Sequence, residues 1–125
     1  MSDIKWLDTP EEHDYPNASS FLRLLLSPKQ VDDVLERLAK VDTTFFAAKD
    51  ILRAAKLKPL GDLNLYVARD LKKIKNEVEL SPILLVRGNL AVDSRLTIAD
   101  GYHRVCAAYW HDEDVEVPCH IVGLS

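Results

Sequence analysis

Leu96-Thr97-Ile98-Ala99-Asp100-Gly101-Tyr102-His103-Arg104-Val105-Cys106-Ala107-Ala108 is the stretch whose reading decides the fold. Leu96 to Ala99 are apolar or β-branched and read as a strand. Asp100-Gly101 breaks it. His103 to Trp110 then read as a helix, with Val105, Ala108 and Tyr109 at helical spacing. A strand that turns directly into a helix through a glycine has chemical consequences. Glycine permits a tight turn and lets a ligand approach the backbone. The first N–H groups of a helix have no internal partner and carry partial positive charge, which suits a phosphate. His103 and Arg104 add donors at the same place, and an arginine can grip a phosphate through two parallel hydrogen bonds. Asp100 is the candidate base or magnesium ligand. The plainer alternative is a strand–helix turn in which Asp100 caps the helix and Arg104 pairs with an acid.

Outward from this stretch, the pattern is that of one mixed domain. Ile83-Leu84-Leu85-Val86 is continuously apolar, as in a strand covered on both faces. Residues 43–47 read as a short strand. Val115 to Val122 read as a closing strand, kinked or placed at an edge by Pro118. Ser27-Pro28-Lys29-Gln30 is a helix start with a capping box, and Val31, Val34, Leu35 and Leu38 repeat at helical spacing to about residue 40. Helical character also marks residues 50–56 and 63–75, and residues 21–26 allow a short separate helix. The order predicts an α+β fold, a small mixed sheet with packed helices. Residues 1–19 are acidic, contain Pro10 and Pro16 and lack a clear period. They are expected to be loosely ordered, with Trp6 and Leu7 able to dock, before a single domain over 20–125.

The 125-residue length fits one domain. Two cysteines, Cys106 and Cys119, are too few for a disulfide scaffold. No apolar run approaches the roughly 18 residues of a membrane span, and the acidic N-terminus is unlike a signal peptide. A cytoplasmic location and no membrane partner are expected. Net charge is −4, which disfavours a freestanding nucleic-acid binder. Its distribution is uneven. Residues 45–75 hold 8 basic and 3 acidic side chains, against 5 and 9 before them and 3 and 8 after. Such a segment can attract an anion, although lysines coating the wet face of a helix explain most of it. His103, Cys106, Cys119 and His120 match no common zinc spacing, and adjacent strand residues point to opposite faces.

The run Asp100-Gly101-Tyr102-His103-Arg104, followed by Cys106-Ala107-Ala108 and by Val117-Pro118-Cys119-His120-Ile121-Val122, resembles the ParB/sulfiredoxin superfamily. Leu80-Ser81-Pro82-Ile83-Leu84-Leu85-Val86 is similar to that family's loop-proline-strand segment. The resemblance covers about residues 43–122. It implies that the turn and helix start bind nucleotide phosphates (ATP, ADP or CTP) with magnesium. Gly101, Tyr102, His103 and Arg104 would be the phosphate ligands, with Ser81 and Lys49 as additions. Asp100 and His103 would be the catalytic pair, with Asp100 also holding the metal. Phosphoryl transfer or nucleotide hydrolysis is then the reaction class. The rival is a non-catalytic regulatory or protein-interaction module of the same fold, whose protein partner the sequence does not name.

Two departures narrow the expectation. Sulfiredoxin chemistry needs a thiolate directly before His-Arg, and this chain has Tyr102 there, so sulfinic-acid reductase activity is not expected. ParB partition proteins continue into a helix-turn-helix module. None follows the closing strand here, so sequence-specific DNA binding is not expected. Replacing Arg104 is expected to weaken a phosphate ligand more than the fold.

Overall fold

The computed structural model describes residues 3–124; Met1, Ser2 and Ser125, the outer ends of the two expected segments, lie outside them. Four strands form one mixed sheet in the order β1-β4-β2-β3. They are β1 (Thr44–Ala47), β2 (Ile83–Val86), β3 (Thr97–Asp100) and β4 (Glu116–Val122). β1 and β4 are antiparallel, β4 and β2 parallel, β2 and β3 antiparallel. Among the described residues five α-helices cover the sheet: α1 (Asp14–Leu22), α2 (Pro28–Lys40), α3 (Ala48–Ala55), α4 (Leu65–Lys75) and α5 (Tyr102–His111). The α+β architecture expected from the sequence is therefore present. Among the described residues, no helix is long and apolar enough to cross a membrane.

The burial of β2 explains the three-layer arrangement. Ile83 and Leu85 join one apolar cluster with Ile51, Leu52, Val67, Ile74 and Val105 from α3, α4 and α5. Leu84 and Val86 join a second cluster with Ala18, Leu22, Val31, Val34 and Leu38 from α1 and α2. Alternate side chains of one strand thus feed two cores, which is why the run is apolar throughout. α2 begins as its sequence requires. Ser27 Oγ accepts the Gln30 N–H at 3.3 Å and Gln30 Oε1 accepts the Ser27 N–H at 3.0 Å.

The N-terminal expectation is corrected. Residues 14–19 are the first turns of α1, and Ala18 and Leu22 are buried against the sheet. The separate helix expected over residues 21–26 is absent, because α1 ends at Leu22 and residues 23–26 form turns. Trp6 and Leu7 do dock. Leu7 N–H donates to Leu80 O at 2.8 Å and Leu80 N–H to Lys5 O at 2.9 Å, holding residues 5–7 parallel to the chain that leads into β2. Pro118 is also placed differently. β4 lies inside the sheet, but its ladder with β2 starts only at Cys119, so Pro118 is flanked by β1 alone. The missing N–H is tolerated because the proline sits one residue short of the second neighbour.

Candidate functional site

β3 ends at Asp100, and Gly101 is the N-cap of α5. The β2–β3 register shifts between Leu84 and Leu85, so that Leu84 faces Asp100 while Leu85 faces Ile98. A bulge of this kind re-aims the side chains beside it. Gly101 has φ of +110°, and its turn leaves the first turn of α5 with no side-chain cap. These residues open onto a polar cleft of about 280 Å³. Its walls come from the start of α1, from α4, from the residues before β2 and from the β3–α5 turn.

The centre of the cleft is an ion-pair cluster. Arg104, on the first turn of α5 and 16% exposed, donates from one terminal nitrogen to Asp100 Oδ2 at 3.0 Å and to Pro82 O at 3.3 Å. Its other terminal nitrogen lies 3.9 Å from Asp14 Oδ1. Asp14 is 1% exposed. Its Oδ2 accepts from the Ser81 hydroxyl and, at 3.0 Å, from the Glu11 N–H, while Oδ1 has no hydrogen-bond partner. Burial pushes the Asp100 carboxyl up to about 6; Arg104 opposes this and the nearby Asp14 adds to it. Asp70, from α4, is a further buried carboxylate on the wall. Burial raises its pKa too, against the pull of Lys73, Arg104, Arg69 and His103.

The sequence-expected residues fare unequally. Asp100, Gly101, His103, Arg104 and Ser81 all line the cleft. Arg104, however, is committed to Asp100 and Pro82 rather than left open for a phosphate, which is the plainer alternative from the sequence. Ser81 spends its proton on Asp14. Asp100 does not cap α5. Tyr102 begins α5, but its hydroxyl donates to Lys58 O, away from the cleft. Lys49 is elsewhere. It is the second residue of α3 and pairs with Asp114 at 2.9 Å, a contact that raises its pKa. Asp14, Arg69 and Tyr66 are cleft residues that the sequence reading did not single out, and Asp70 and Lys73 belong to the helix whose lysines it assigned to a solvated face. The rings of Tyr66 and His103 lie 5.0 Å apart, centroid to centroid.

A resident divalent cation does not fit this donor set. The Arg104 guanidinium already stands against both Asp100 and Asp14. Among the described residues no three His, Cys, Asp or Glu side chains converge as metal ligands. Both thiols are buried, and burial raises both, with Cys119 pushed up to about 12. Neither is poised as a thiolate. Cys119 and His120 feed opposite faces of β4. His120 bonds to Leu38 O at 2.9 Å and Thr43 Oγ1 at 3.0 Å.

Comparison with family models, curated proteins and solved structures finds no match.

The Asp100 shift has a measurable consequence. A carboxyl raised from 3.8 to about 6 binds its proton more tightly folded than unfolded. Its contribution to stability is therefore most favourable below the unfolded pKa and declines as pH rises between those two values. Carbon-detected NMR should show the Asp100 carboxyl titrating near 6. A midpoint below 4 would show that Arg104 outweighs burial.

Proposed function

We propose that this chain is a ParB/sulfiredoxin-like domain that binds a phosphate-bearing small ligand, of the nucleotide class, at the start of α5. The observation that supports the reading is the first turn of α5, which begins at Gly101 without a side-chain cap and opens into the cleft. Helix N-terminal amides favour an anion there. Two of the cleft acids, Asp14 and Asp100, are engaged by Arg104 and Ser81, while Glu11, Asp70 and Glu79 also line the walls. Arg69, Lys73 and His103 are the cationic or donor groups remaining on the walls. At about 280 Å³ the cleft is at the lower limit of small-molecule pockets, roughly 300–1,000 Å³. It suits the phosphates, while a sugar and base would lie over the rim beside Tyr66.

Binding without turnover is favoured over phosphoryl transfer. The best candidate base, Asp100, is tied to Arg104. In this reading the chain selects a small ligand and not a DNA sequence.

Thermal denaturation with nucleoside mono-, di- and triphosphates, with and without magnesium, tests the proposal. A true ligand at 100 times its Kd adds ~2.7 kcal/mol. Arg69→Gln combined with Lys73→Gln should weaken that ligand about tenfold, worth ~1.4 kcal/mol, and Lys49→Ala should leave it unchanged. If no phosphate compound raises the melting temperature, the proposal fails.

A further inference from the structure

A second cleft, about 570 Å³, lies at the opposite end of β2, between α3 and the segment joining β2 to β3. Its apolar lining includes Phe46, Ile51, Leu85, Leu96 and Ile121. Three of these, Phe46, Leu96 and Ile121, are only half-buried, so apolar surface stays open to the cleft. Four cations also line it. Arg53 and Lys56 have nearby acids, at 3.5 Å from Asp50 and 3.6 Å from Asp93. Arg87 and Arg95 are exposed and make no ion pair among the described residues. In a chain of net charge −4, this is a local excess of positive charge over an apolar floor.

The walls are held by backbone contacts. Arg87 N–H donates to Val122 O at 2.8 Å, Leu96 N–H to Ala54 O at 3.1 Å, and Asn89 and Ser94 exchange bonds at 2.8 and 2.9 Å. At Gly88 a Cβ would stand 2.5 Å from Ser94 O, so the two sides of this loop meet at backbone distance. A cleft fixed in this way needs little ordering when a ligand enters, which lowers the cost of binding. Its volume lies inside the usual range for small-molecule sites, and an apolar lining with a few placed polar groups is their usual composition.

We infer that this second cleft binds a small amphipathic organic anion, with its apolar body on the Phe46–Leu96–Ile121 floor and its oxyanion head towards Arg87 and Arg95. Apolar contact supplies attraction without direction, and the arginines select the charge. The site is separate from the cleft at α5 and does not depend on its ligand.

Two fluorescent probes of nearly the same shape test this. 8-Anilinonaphthalene-1-sulfonate has a sulfonate head, and N-phenyl-1-naphthylamine lacks it. The sulfonate should saturate one site on the folded protein and bind about tenfold more tightly than the neutral probe, a difference of ~1.4 kcal/mol. The double variant Arg87→Gln/Arg95→Gln should lose that advantage and keep the neutral probe's affinity. Ala54 is exposed on the α3 wall, so Ala54→Trp should block both probes while the protein still melts cooperatively. The inference is overturned by non-saturable sulfonate binding, by equal affinity of the two probes, or by unchanged sulfonate binding in either variant.

Discussion

Arg104→Met is expected to lower stability at neutral pH by about 3 kcal/mol, since removing one partner of a buried ion pair leaves the other charge uncompensated. Here two carboxylates are left. Asp100 loses its 3.0 Å partner, and Asp14, almost fully buried, loses the guanidinium 3.9 Å from its unpartnered Oδ1. The methionine covers the apolar contacts of the arginine stem, so the loss reports charge rather than a cavity. The pH dependence follows. Without the guanidinium the Asp100 carboxyl holds its proton still more tightly in the folded state, so its share of the deficit is smallest below about 6, where both proteins carry it protonated, and grows as pH rises above that value. Adding Asp14→Asn and Asp100→Asn to Arg104→Met should recover part of the stability. Urea denaturation measures each variant, and a loss below about 1 kcal/mol would show that the cluster is solvated. This reverses the expectation from sequence, in which Arg104 served a ligand more than the fold.

Gly101→Ala is expected to cost about 3 kcal/mol as well, from two sources. A φ of +110° is one that residues with a Cβ rarely adopt, at roughly 1–2 kcal/mol. The added methyl would also stand 2.6 Å from Ile83 Cδ1 and 2.9 Å from an Arg104 terminal nitrogen, an overpacking worth ~1–3 kcal/mol. Glycine is needed here for the turn and because the Arg104 guanidinium folds back over it. The variant should therefore also displace Arg104 from Asp100, and the Asp100 titration should move upward as its cation withdraws. A stable Gly101→Ala protein with Asp100 still titrating near 6 would contradict this account of the turn.

The strands and the two covered faces of the sheet were readable because each rests on local pattern. Ile83 to Val86 could be apolar throughout only if both faces were covered, and Ser27 to Gln30 could cap only a helix. The turn at Asp100-Gly101 was readable for the same reason. The partners of that turn were not. Asp14 lies far away in sequence, in a segment whose prolines and acids hide its period. Its signal was the spacing of Asp14, Ala18 and Leu22, one helix face on which the first residue is charged. Asp70 was obscured in the same way. It shares the buried face of α4 with Val67 and Ile74, where a carboxylate breaks the apolar pattern. Lys49 was misplaced because the chain leaves β1 into α3 at once, which carries its side chain to Asp114. Charged residues on otherwise apolar helix faces were the overlooked marks of the cleft.

The central claim is that a phosphate group seats on the first turn of α5. Amide NMR during titration with the best-stabilising nucleoside phosphate tests it directly. The account predicts that the Gly101, Tyr102 and His103 amides move most, with the same midpoint as the thermal stabilisation, while Lys49 and Asp50 stay still. Saturation of the ligand with those α5 amides unmoved would contradict it.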